Sequence, residues 1–246
     1  MSKKSDMTRR NFLKATGVAA GAAALSGSIL SVTTAETHAA EMKHSAQLPS
    51  ENTRISPKGK MFFTNELEFA TLSEASERIF PKDENGPGAK ELGVPFFIDN
   101  QLAGAYGYNA REYMSGPFFK GAPTQGYQTP LPKRDIFSKG LSALNSYSQM
   151  TFQKNFPELK DADKDVILKM CESGAIPTEG FTSAYFFSLL RGAVLAGVYA
   201  DPIYSGNSNM NGWRMKQYPG AQMSYFDIIK SRNFEKIEPV SLADMY

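Results

Sequence analysis

The sequence predicts a mainly α fold: one irregular, bundle-like helical domain with long Gly/Pro/aromatic loops, preceded by a cleavable signal. Three observations predict it. From residue 65 to 200, apolar side chains recur at helical spacing rather than in alternation. Proline or glycine closes each of these segments. Between 106 and 132, glycines and prolines break any period at all.

The chain opens on a basic stretch with Lys3, Lys4, Arg9 and Arg10, continues in a weakly apolar Ala/Gly run from Ala15 to about Val32, and reaches small residues at Ala39 and Ala40. Thr8 to Lys14, with Arg9, Arg10, Phe12 and Leu13, reads as a twin-arginine export signal cleaved after residue 39. That route moves proteins already folded, usually redox enzymes loaded in the cytoplasm or partners exported with them. An uncleaved anchor helix is the competing reading, disfavoured by Gly17, Gly21, Gly27 and the Ser/Thr residues between Ser26 and Thr34. The expected organisation is therefore signal over 1–39, flexible polar leader over 40–60, and helical domain over 61–246.

The first convincing helix begins near Thr64 or Asn65, where Asn65 and Glu68 have capping-box spacing, presents Leu67, Leu72, Ala75 and Ile79, and stops at Pro81. A short helix from Pro87 to Leu92 with Gly93 as its stop comes next, then one starting at Pro95 that carries Phe96, Phe97, Ile98 and Leu102. From Tyr106 to Pro132 regular structure is not expected. Tyr106, Tyr108, Tyr113, Phe118, Phe119 and Tyr127 nevertheless carry too much aromatic surface to leave in water, so this loop packs on its own domain or on another protein.

A long helix is expected from Asp135 to Phe156, ended by Pro157, and a shorter one from Asp161 to Glu172, closed by Gly174. The most apolar helix runs from Thr182 to Ala200 with almost no polar face. Arg191 and Gly192 near its centre argue against a membrane span, so it reads as the central core helix. After it comes the densest motif, Ala200 to Trp213, closing on Tyr218, Pro219 and Gly220. Asn207, Asn209 and Asn211 suit turns closed by side chains. Trp213 either anchors a partner or covers the domain's own core, and physics alone leaves both open.

Composition excludes much. Removing 1–39 takes Lys3, Lys4, Arg9, Arg10 and Lys14 along with Asp6 and Glu36, leaving 22 of 27 basic and 23 of 25 acidic residues. The positive balance belongs to the signal, and no basic cluster points to nucleic acid. One His and one Cys remain, so a Ser/His/Asp or Cys/His arrangement, haem attachment, an iron–sulfur cluster or structural zinc cannot be assembled. Neither a dinucleotide fingerprint nor a Walker loop is present. Carboxylate-only hydrolysis survives counting, but nothing singles out a pair such as Asp83 and Asp99. Cys171 is either a thiol buried beside Ile167 and Met170 or half of an intersubunit disulfide.

These residues resemble a family. Phe69 to Leu72 with Ile79 to Pro81, Pro87 to Ala89 with Gly93 and Val94, Phe97 to Asp99, and above all Tyr199 to Tyr204 through Gly212 and Trp213 to Tyr218, Pro219 and Gly220 are similar to the gluconate 2-dehydrogenase subunit 3 family over roughly residues 61 to 226. The resemblance implies a small (gamma) subunit that holds no cofactor of its own. Its expected partner is a membrane-associated large subunit that binds FAD and oxidises gluconate or a related sugar or sugar acid, often with a multihaem cytochrome c as a third subunit. The small subunit's signal then takes the folded flavoprotein through the twin-arginine translocase, to the periplasm or the outer face of the membrane, and the two stay together.

Such a role needs an interface of at least about 1,000 Å². Tyr113, Phe118 and Phe119 in the first loop, and Asp201, Pro202, Tyr204, Asn207, Asn209 and Trp213 in the second, are the candidates. The alternative is an independent exported sugar-binding protein whose 201–219 loop stacks on and hydrogen-bonds its ligand.

Overall fold

A bent entry segment at Met61 to Phe63 is fixed before any helix begins. The Asp99 carboxylate, fully buried, accepts the backbone N–H groups of Phe63 at 2.8 Å, Phe62 at 3.2 Å and Met61. The computed structural model describes residues 58–226 and 228–245; the expected signal and the leader as far as residue 57 lie outside them.

Six α-helices follow, joined by 3-10 turns, with no strand among the described residues beyond isolated bridges at Asp83/Gly86 and Gly220/Val240. Helix α1 spans Glu66–Ile79. Asn65 caps it by accepting from Leu67 N at 2.9 Å, while Glu68, expected to complete the box, instead accepts from Ser138 Oγ at 2.9 Å and ties α1 to a later helix. Helix α2 spans Val94–Ala103. The short helix expected over 87–92 is only a set of turns: after Leu92 N bonds Gly88 O at 3.0 Å, Gly93 turns left-handed (φ 77°) to start α2. Any side chain there would also meet Ser205 O at 2.9 Å.

Helix α3 spans Lys133–Phe152, starting two residues before and ending four residues before the expected Asp135 to Phe156. Gln153 turns left-handed (φ 58°) and ends it. The chain then reverses, with Ser148 Oγ donating to Lys154 O at 2.7 Å and Phe156 N to Asn145 Oδ1 at 3.0 Å. Phe156 returns fully buried from a separate 3-10 turn, which is why its apolar character extended the expected helix. Helix α4 spans Asp161–Glu172 and α5 Ser183–Tyr199, within a residue of expectation.

Helix α5 is central, packing on α1 to α4. Phe186, Leu190, Val194 and Val198 lie on its buried side, and Phe186 meets Phe137 edge-on at 5.7 Å over Gly140. It is not apolar all round in effect, because Ser188, Arg191, Gly192 and Ala196 form an exposed strip. The short helix α6, Asn211–Lys216, ends the helical part.

Polar ties close the outside. Arg78 grips Asp165 with two bonds of 2.8 Å and Asp161 with a third. Glu74 takes Lys164 at 2.6 Å and Lys90 together. Burial alone would raise Glu74, but its bonds to both lysines hold it below the ordinary value.

Candidate functional site

The end of α5 explains the motif that follows it. A helix leaves its last carbonyls without intrahelical donors, and a buried end must find them elsewhere. Here Tyr199 O accepts the Trp213 indole N–H at 2.8 Å and Ala200 O accepts Asn207 Nδ2 at 2.8 Å. Asn207 Oδ1 in turn takes Gly212 N at 2.7 Å. For the chain to fold back this closely, Ser205, Asn207, Asn209 and Met210 all adopt positive φ. Side chains at Gly206 and Gly212 would lie 2.3 Å from Gly197 O and 2.0 Å from Val198 O. Ser208 N then reaches Leu92 O at 3.0 Å, fastening the motif to the α2 start.

Asp201 closes a second circuit. Its buried carboxylate accepts Ile203 N at 3.0 Å, Ser241 Oγ at 2.7 Å and Leu242 N at 2.8 Å, so it holds residues forty positions onward. Local sequence gave no signal for that pairing.

The expected interface residues therefore divide. Trp213 is 5% exposed, Asp201 and Asn207 are buried, and their polar atoms are committed to backbone or to Ser241; they form part of the domain's own cover. Pro202 and Asn209 are half-buried, while Tyr204 and its neighbour Ile203 point outward. In the first loop Tyr113 is 85% and Phe119 77% exposed, with Phe118 half-buried. The same loop is moored from within: Tyr127 stacks on Tyr185 at 4.0 Å and the Arg134 guanidinium lies 4.4 Å over the Tyr108 ring. Tyr106 sits half-buried under Lys133, and burial pushes its hydroxyl up to about 12.

Cys171 takes the structural reading. It is 1% exposed, its Sγ donates to Ser183 O at 3.4 Å, and burial pushes the thiol up to about 12, so the expected intersubunit disulfide has no accessible sulfur to form from. The acidic pair does not assemble either: Asp99 holds the entry segment, and Asp83 lies in an exposed turn accepting Asn85 N at 2.8 Å. Among the described residues no group of three or more His, Cys, Asp or Glu could hold a metal ion, and no helix is long and apolar enough to cross a membrane.

Open hollows among the described residues include one of about 470 Å³ beside Ser138, Ser142 and Thr178 and a second of about 450 Å³ between Tyr199, Trp213, Lys216 and Tyr218. The second lies on the motif, but the amide of Asn207 and the indole N–H of Trp213 are already spent on the backbone. A second exposed surface was missed in the sequence: Met223, Tyr225, Phe226, Ile229 and Phe234 all stand in solvent after the motif. Its only signal was apolar residues scattered without a period through a polar stretch.

Residues 6–26 match the TAT (twin-arginine translocation) pathway signal sequence, which marks the chain for twin-arginine export. No curated protein and no solved structure matches. Residues 66–220, from the first helix to the glycine that closes the folded-back motif, match Gluconate 2-dehydrogenase subunit 3, and the chain belongs to that family.

Proposed function

We propose that this chain is the non-catalytic small subunit that carries an FAD-binding large subunit through the twin-arginine translocase and remains bound to stabilise it. The chain is an exported subunit of a gluconate 2-dehydrogenase-like complex. The co-export role rests on one conjunction: a signal for the folded-protein route stands on a dehydrogenase subunit that turns Tyr113 and Phe119 almost fully into water. Exposed aromatics held on a moored loop are costly alone and suit a surface covered before export. The large subunit would supply the flavin and the oxidation of gluconate or a related sugar acid. A multihaem cytochrome c would pass electrons onward. Release of the signal after Ala39 would leave the complex in the periplasm or on the outer face of the cytoplasmic membrane.

The decisive test is the double substitution Arg9→Lys and Arg10→Lys. Both this chain and the flavoprotein should then remain in the cytoplasm. Unchanged export of the flavoprotein would refute the passenger role.

A further inference from the structure

Beyond Gly220, where the family match ends, the chain forms a loop closed at its neck. Ala221 N donates to Val240 O at 2.8 Å and Val240 N to Pro219 O at 3.2 Å. Gly220, at φ 71°, allows the approach: a side chain there would lie 2.3 Å from Val240 O and 2.7 Å from the Trp213 ring. Below the neck the Asp201 carboxylate latches Ser241 and Leu242, and Arg214 pairs with Glu238. The neck thus rests on Trp213, which covers the end of α5, and on Asp201, which follows that end directly.

What the neck holds up sets large apolar side chains in water among charged ones such as Lys230, Arg232, Glu235 and Lys236. Met223 is 87% exposed, Phe226 72%, Ile229 73% and Phe234 87%, with Tyr225 half out. Five such side chains offer about 700 Å², close to the roughly 800 Å² that each partner contributes to a stable interface. The latch fixes where the neck of this loop stands.

We infer that the closed loop between Gly220 and Val240 is a docking surface for the flavin-bearing large subunit, additional to the aromatic loop. This rests on the reading above, that the chain is the small subunit of such a complex. The occupant follows from membership of a dehydrogenase complex, from a signal that exports folded cargo, and from an apolar area sized for one protein partner.

The test uses the full chain in its own cells, tagged, as wild type and with Phe226→Ser, Ile229→Ser and Phe234→Ser combined. The triple variant should be exported and melt as the wild type does, yet retain at least ~10-fold less flavin-bearing chain per small chain. Equal retention, with the wild type carrying the flavoprotein, overturns this inference and leaves the co-export reading standing. A wild type that carries no flavoprotein defeats both. Retention of the flavoprotein with loss of membrane sedimentation would make the loop a lipid contact and also overturn it. Should the triple variant misfold, Phe234→p-benzoylphenylalanine in an otherwise native chain should photocrosslink to the flavin-bearing chain; no adduct there contradicts the assignment.

Discussion

Trp213 shows how one side chain can be read in two directions. A large aromatic in a Gly/Asn loop has the composition of a binding anchor, yet its indole N–H satisfies Tyr199 O and its ring packs on Tyr218 at 5.5 Å. Trp213→Ala should therefore lower the stability of the free subunit by about 3–5 kcal/mol, measured by denaturant unfolding. A free subunit of unchanged stability that no longer bound its partner would place the indole at the interface instead. Asp201 and Cys171 follow the same logic: each is polar or reactive by type, and each is spent inside the domain. Burial decides the role, and burial is what a single sequence states least directly.

At the scale of elements, the ends of α1, α4 and α5 were legible because their signals are local: Asn65 and Thr182 cap, Pro81 stops, and glycine follows α4. The end of α3 was not, since Phe156 belongs to the core without belonging to the helix. The latch from Asp201 to Ser241 was invisible for a related reason, a contact across forty residues. The two glycine environments on and after α5 give a paired prediction. Gly212→Ala must push a methyl group against Val198 O and should cost about 1–3 kcal/mol. Gly192→Ala meets nothing within 4 Å on the exposed strip of α5 and should stabilise by about 0.5–1 kcal/mol. Thermal melts of the two variants check both signs, and equal shifts would mean that the motif does not seat on α5 as described.

At the scale of the molecule, two buried carboxylates tie both ends of the described chain to its core, Asp99 at residues 61–63 and Asp201 at 241–242. The outer ion pairs add a pH dependence. Arg78 holds Asp165 below its ordinary value, and Lys164 and Lys90 hold Glu74 below its own despite burial. A carboxylate lowered in the folded state stabilises fully above its unfolded value and loses that contribution as pH falls through the folded one. Melting temperature should stay level from neutral pH to about 5 and decline below about 4; Glu74→Gln should soften the decline.

The helical class was legible from residue types and spacing, and the export signal and the family from their motifs. Which aromatics face outward was not, because that depends on where Arg134 and Tyr185 stand. The account turns on those outward aromatics being covered in the cell. The most direct measurement is to purify the C-terminally tagged chain from its own cells in mild detergent and record its subunit composition and visible spectrum. A stoichiometric larger chain with flavin absorbance is the predicted result. A colourless, monomeric single chain would contradict it.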